Sequence, residues 1–151
     1  MAVIELKTVD TTSNQAKRVL EAIALTHETL IGLAVKLRFH PEVTDVLQDV
    51  YLRQYECGPT VEGYVDAKLR NGKGIYWWLE ITWDENTWFV ESSVNVTNLI
   101  VDEGSSDLIR FKDKKAETLD EFIVVLEEAT LELVRSADTI DLSTCTVIQD
   151  S

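Results

Sequence analysis

Two glutamates in the middle of the chain, Glu80 and Glu91, are the residues whose type and spacing could carry chemistry. Each lies in a run that alternates apolar and polar side chains, the pattern of a strand with two different faces. If the two runs form an antiparallel hairpin about Glu85 and Asn86, the glutamates stand directly opposite each other. Opposed Cβ atoms are about 4.5–5.5 Å apart. Two carboxyls at this range can take different pKa values and act as an acid–base or nucleophilic pair.

Four aromatic side chains share the predicted face of this carboxyl pair: Tyr64, Tyr76, Trp78 and Phe89. The predicted register sets Tyr64 across from Glu80, with Trp78 and Phe89 flanking the pair. Aromatic rings beside carboxylates hold cations and sugars. Large exposed apolar patches usually mark binding sites, so two interpretations stay open. The aromatic surface is either covered by the chain's own helices or contacts a partner, and the two glutamates could also simply extend into water.

Three alternating runs predict an antiparallel meander that positions these residues, with strands at about 60–70, 74–84 and 87–97. Its opposite face is almost wholly apolar and is the predicted core. That face carries Val61, Val65, Ala67, Leu69, Ile75, Trp77, Leu79, Ile81, Trp83, Trp88, Val90, Val94 and Val96. These residues share a face only if the loop near Arg70–Gly74 has an odd length, three or five residues, with Gly72 or Gly74 at positive φ.

Helical periodicity flanks the meander on both sides. The first helix is predicted at about 13–39, and its Leu30–Val35 segment is apolar nearly all round, which predicts extensive burial. A second helix is predicted at about 41–57, after Pro41, because apolar residues recur there at helical spacing. They are Val43, Val46, Leu47, Val50 and Tyr51. The two helices would form an αα-hairpin.

The C-terminal third predicts a fourth strand at about 107–112 and a last helix at about 118–136. Thr118 and Glu121 have the spacing of a capping box at the start of that helix. Short strands are predicted at Ala2–Val9 and Thr144–Ile148. The fold class is therefore α+β, in a single domain over residues 1–151: an N-terminal αα-hairpin, a three- to four-stranded antiparallel meander sheet, and a C-terminal helix packed on the sheet. This order of elements resembles that of small acidic chaperones and immunity proteins, which implies binding of a partner chain.

The balance of charge restricts the partners. The chain has 14 Lys and Arg against 27 Asp and Glu, a net charge of −13. Such a charge repels nucleic-acid phosphates and anionic membranes and favours basic partners. No apolar run is long enough to cross a bilayer and no signal peptide is evident, which predicts a cytoplasmic protein. Cys57 and Cys145 are far apart in the sequence, and this spacing favours free thiols over a metal or redox motif, with a single disulfide between them as the open alternative.

The sequence contains no phosphate-binding glycine loop, nucleophile elbow or metal-ligand spacing, so no cofactor and no metal are predicted. The first functional hypothesis is a small acidic, non-enzymatic interaction module of the adaptor, chaperone or inhibitor type. It would bind a protein partner, or a second copy of itself as a homodimer, through the aromatic sheet face, the acidic surface or both. The alternative is a small-molecule-binding protein or hydrolytic enzyme that uses Glu80 and Glu91.

Overall fold

The computed structural model describes residues 14–55, 58–84, 87–98 and 105–148. Within them lie two helices, α1 and α2, and eight strands, β1 to β8. In chain order they are α1 (Asn14–Arg38), β1 (Val43–Tyr55), β2 (Gly58–Leu69), β3 (Lys73–Asp84), β4 (Thr87–Asn98), β5 (Ser105–Arg110), β6 (Lys114–Ala116), α2 (Leu119–Thr139), β7 (Ile140–Asp141) and β8 (Thr146–Val147). The short strand predicted at Ala2–Val9 lies outside the described residues.

The main sheet is antiparallel, with the strand order β1-β2-β3-β4-β5. β5 pairs with one half of β4, and the short β6 pairs with the other half. β7 and β8 form a separate small hairpin. The α+β class is confirmed, with a C-terminal helix packed on an antiparallel sheet, but the sheet has more strands than the three or four predicted.

The main sheet has two strands that were not predicted, β1 and β6. β1 is the segment predicted as the second helix, and that prediction is wrong: residues 43–55 form a strand. The error has a physical cause. The register of β1 against β2 shifts between Val43 and Asp45, which is a β-bulge. A bulge adds one residue to a strand, so the buried Val43, Val46 and Val50 acquire the spacing of a helix stripe. Their β-branched side chains favour a strand.

The hairpin between β2 and β3 confirms an odd loop. The loop is Arg70-Asn71-Gly72, and Gly72 has a φ of 84°. The Asn71 side chain accepts a hydrogen bond from the Lys73 N–H at 2.9 Å and so stabilises the turn. With three residues rather than five, Tyr64 pairs with Trp78 and not with Glu80. The predicted position of Tyr64 across from Glu80 is therefore wrong.

Both helices pack on one face of the sheet, the inner face. On α1, Leu30 is fully buried and approaches Gly63 so closely that a Cβ there would be 2.8 Å from Leu30 Cδ1. On α2, Ser136 Oγ accepts a 3.0 Å hydrogen bond from Trp77 Nε1. The fold therefore has two layers, with the hydrophobic core between the helix pair and the inner face.

The start of α2 follows the capping signal in the sequence. Thr118 is the N-cap, and its hydroxyl accepts from the Glu121 N–H at 3.2 Å. The Glu121 carboxyl accepts in turn from the Glu117 N–H at 3.1 Å. The last helix, predicted at about 118–136, thus begins where expected and ends at Thr139, slightly later than predicted.

Only part of the Leu30–Val35 segment is buried, although extensive burial was expected. Leu30, Leu33 and Ala34 are buried in the core, whereas Ile31 is 42% exposed and Val35 is 43% exposed. The reason is the two-layer fold, since the sheet covers only one side of α1. An apolar helix surface therefore faces away from the sheet.

Candidate binding face of the sheet

The face of the sheet opposite the two helices, here called the outer face, carries every residue that the sequence singled out for binding. Because side chains alternate along a strand, the register places Tyr64, Tyr76, Trp78, Phe89, Glu80 and Glu91 on this face. A helix packed on the inner face cannot reach it. None of the described helices covers the outer face.

A row of three glutamates crosses the outer face. Glu80 pairs directly with Glu91 on β4, as predicted, and with Glu62 on β2. Glu62 is only 6% exposed, and the Tyr51 hydroxyl donates a 2.6 Å hydrogen bond to its Oε2. The Thr82 hydroxyl donates to Glu80 Oε1 at 3.5 Å. Three carboxyls in adjacent positions concentrate negative charge on a narrow strip of the sheet.

A cluster of tyrosines lies beside this glutamate row. The rings of Tyr64 and Tyr76 stack, with centroids 5.3 Å apart and an interplanar angle of 20°. Tyr51 meets Tyr64 edge to face at 6.1 Å. Trp78 pairs with Tyr64 across the strands, so it belongs to the same region. Phe89 pairs with Thr82, on the other side of the glutamate row.

The electrostatics of the outer face disfavour additional negative charge. Burial raises the pKa of Tyr76 far above its ordinary value, and the neighbouring Tyr51, Tyr64, Glu62 and Asp66 raise it further. Burial also raises the pKa of the Asp66 carboxyl. Lys68 opposes that shift. The acidic neighbours Glu62 and Asp66 give this region a negative potential, which favours the approach of a cation, whereas burial by itself disfavours any charged form.

A small cavity opens on the outer face at the end of the tyrosine cluster. Its volume is about 240 Å³, and it is lined by Asp66, Gly74, Tyr76, Asn95, Thr97 and Ser105. This cavity includes two of the groups described above, the Asp66 carboxyl and the Tyr76 ring. Glu80 and Glu91 do not line it. Both glutamates are half-buried on the outer face, outside this cavity.

Two residues of this face, Tyr51 and Glu62, escaped prediction from the sequence. Tyr51 was assigned to the apolar stripe of a helix, so its position on a strand could not be considered. Glu62 was missed because a five-residue hairpin loop sets Tyr64, and not Glu62, across from Glu80. The signals were present: residues 43–55 contain no Ala, Glu or Lys, and the Asn71-Gly72 pair favours a short loop.

Three further observations concern metal ions, membranes and thiols. Among the described residues, no group of three or more His, Cys, Asp or Glu side chains has the geometry to hold a metal ion. Neither described helix is long and apolar enough to span a membrane. Cys145 is a buried free thiol, whereas Cys57 lies outside the described residues.

Comparison with known proteins yields no relative: no family model matches the chain, and neither a curated protein nor a solved structure is significantly similar to it.

Proposed function

We propose that this chain is a small, acidic, non-enzymatic interaction module of the cytoplasm, which binds a basic segment of a partner protein on the outer face of its sheet. One observation carries the proposal. The outer face combines a stacked tyrosine cluster with a row of three carboxyls, and the described helices both lie on the other side.

The chemistry of this face fits a cationic side chain. Arg and Lys are attracted to the faces of aromatic rings, and carboxylates accept their hydrogen bonds. On the outer face the two kinds of group are adjacent, since Tyr51 contacts both the Tyr64 ring and the Glu62 carboxyl. Arg suits such a surface better than Lys, because its planar guanidinium can stack and form paired hydrogen bonds at once. Tyr and Trp are also frequent energetic centres of protein interfaces.

Binding of the partner on the outer face is better supported than the alternative, in which the partner adds a strand beside β1 at the edge of the sheet. The N–H of Val46 is bonded to the Asp45 carboxyl at 3.0 Å, and the N–H of Val50 to the Asp49 carboxyl at 2.8 Å. An added strand would need such backbone donors. Charged side chains on an edge strand are also a common protection against edge-to-edge pairing.

The alternative function, a small-molecule site or hydrolase built on Glu80 and Glu91, has weaker support. An enzyme of this kind needs a concave site around its carboxyl pair. Glu80 and Glu91 do not line the cavity on the outer face. The nearby cavity of about 240 Å³ is small for a ligand site, and its ionisable groups are Asp66 and Tyr76 rather than the glutamate pair.

The proposal is tested by isolating the protein gently from its own host and measuring the mass of its complexes by native mass spectrometry. The variant combines Tyr64→Ala with Trp78→Ala. We expect it to remain folded and to lose at least about tenfold in affinity for the co-purified protein, as is typical of interface aromatic residues. Raising the salt concentration should weaken the wild-type complex, because the charges are screened.

The control removes exposed apolar surface from the opposite side of the molecule. Val124→Ala serves, because this α2 residue is 53% exposed. The control should bind as the wild type does. If the control and the outer-face variant bind equally well, the partner does not use the outer face.

A further inference from the structure

The outward surface of α1 is an apolar strip that no described part of the chain covers. Leu25 is 51% exposed, Ile31 is 42% exposed and Val35 is 43% exposed. Phe39, which follows the last residue of α1, is 84% exposed. No charged residue occurs between Thr29 and Val35. A helix that is apolar all round is normally buried on all sides, so this segment lacks half of its expected cover.

The same side of the molecule contains an apolar groove between α1 and α2. Its volume is about 390 Å³. Leu25, Ile123, Leu126 and Leu131 supply apolar lining, together with threonines of both helices. The hydroxyls of Thr26 and Thr130 donate to carbonyls of their own helices, at 2.9 Å and 2.7 Å. Their hydrogens are thus used within the helices, and the groove is chemically suited to an apolar or aromatic side chain.

The protruding Phe39 and the groove have complementary charges at their borders. Phe39 is next to the basic Arg38 and close to Lys36, whereas acidic Glu21 and Glu127 line the groove. As a whole, α1 has four cationic and two anionic residues, a net charge of +2 in a chain of −13. Two α1 helices can therefore meet without bringing together the strongly acidic surfaces of two copies.

Gly32 is the position at which a second helix could come close to the backbone of α1. A Cβ at this position would have no neighbour within 4 Å, so the backbone of α1 is open to the outside there. Leu25 and Phe39 are each seven residues from Gly32, on either side. In an antiparallel pair of α1 helices that cross at Gly32, the Phe39 of each copy lies opposite Leu25 of the other, over its groove. Glu28 then lies opposite Lys36, because each is four residues from Gly32, and the Lys36 ammonium also pairs with Asp138 of its own chain.

We propose that α1 is the interface of a homodimer, in which two α1 helices cross antiparallel at Gly32 and each Phe39 enters the groove of the other copy. The interface is self-complementary, as a two-fold dimer requires. It lies on the side of the molecule away from the outer face. A dimer of this kind would present two outer faces in different directions and bind a bivalent partner with increased avidity.

The oligomeric state of the full chain tests the proposal. Sedimentation over a concentration series should give twice the chain mass of 17.1 kDa at high concentration. Phe39→Ala should weaken dimerisation at least about tenfold and leave the monomer folded, since the removed ring is exposed in the monomer. Val124→Ala on α2 is the control, because Val124 is exposed but does not line the groove. A monomer throughout the series, or a dimer that Phe39→Ala leaves unchanged, would overturn the proposal.

A disulfide tests the crossing point directly. In Gly32→Cys, with Cys57 replaced by Ser, the two new thiols would lie beside the two-fold axis, and mild oxidation should give a covalent dimer in high yield. The open space at Gly32 accommodates the side chain. Val124→Cys in the same Cys57→Ser background should give little covalent dimer. Equal yields from the two variants would contradict a crossing at Gly32, and so would a dimer lost only in the Tyr64→Ala and Trp78→Ala variant.

Discussion

Trp77 and Trp78 are neighbours in the sequence, yet they lie on opposite faces of the sheet and have different surroundings. Trp77 is fully buried on the inner face, and its indole donates to Ser136 of α2. Trp78 is half-buried on the outer face, opposite Tyr64. The same residue type therefore has a structural role on the inner face and a surface position on the outer face. The inner tryptophan joins the sheet to a helix, whereas the outer one belongs to a surface with no described helix over it.

The two faces also differ in the charged residues that they carry. The inner face is mostly apolar, from Val46 on β1 to Val94 on β4, and its few polar side chains, such as Gln48 and Ser92, are uncharged. The outer face places Glu62, Glu80 and Glu91 side by side. Like charges in directly opposed positions destabilise a sheet. A face that served only stability would not carry them, so we interpret the row as a feature of binding.

The largest expected effect separates the two tryptophans. Trp77→Ala should cost about 3–5 kcal/mol of the free energy of unfolding, because it leaves a cavity and removes an indole hydrogen bond. Trp78→Ala should cost about 1–2 kcal/mol, because the ring is only half-buried, and it should instead reduce partner binding. Urea denaturation measures both costs. Equal losses of stability in the two variants would contradict the claim that only the inner tryptophan is part of the core.

A smaller effect is expected at two glycines. Gly63→Ala puts a methyl group 2.8 Å from the fully buried Leu30, so we expect a loss of about 1–3 kcal/mol from overpacking. Gly32→Ala, on the open side of α1, should stabilise the monomer by about 0.5–1 kcal/mol, because alanine is the better helix former. The two substitutions are chemically identical, and the comparison of their unfolding midpoints should give opposite signs. A gain of stability at Gly63 would show that the helix layer is more loosely packed than the distance implies.

The smallest effect concerns pH. The pKa of Asp66 is raised above its ordinary 3.8, chiefly by burial, so the folded protein keeps this proton to a higher pH than the unfolded chain does. The resulting stability is present at low pH and is lost as the pH rises from 3.8 through the raised pKa. Asp66→Asn should therefore be more stable than the wild type at neutral pH, and the difference should shrink in acid. Thermal unfolding at a series of pH values measures this difference, and a variant less stable than the wild type at neutral pH would contradict the assignment.

The sequence predicted the meander well because its strands have two chemically distinct faces. Alternation from Val61 to Val96 set the inner face, and the need for a common apolar face demanded an odd loop before Gly74. That argument did not distinguish a three-residue loop from a five-residue loop, because both odd lengths keep the apolar residues on one face. Glu62 and Tyr64 were consequently exchanged in the predicted register opposite Glu80.

The sequence failed where the periodicity was ambiguous. In β1, the bulge near Val43 gives buried residues a helical spacing, and only the composition of the segment indicated a strand. The helix layer posed a different difficulty. Both sheet faces carry aromatic side chains, so the pattern around Trp77 and Trp78 did not establish which face the helices cover. That choice depends on contacts far apart in the sequence, such as those of Leu30 with Gly63 and of Trp77 with Ser136.

The most direct test of the outer face as a binding surface is an NMR footprint. The isotope-labelled protein would be titrated with the basic partner segment identified from the native complexes, and shifts would be followed at every backbone amide. We expect the largest changes on β2 and β3, around Tyr64, Tyr76 and Trp78, with small changes along the outward side of α2. Changes that concentrate on α1 and α2 and leave the outer face unaffected would contradict the account.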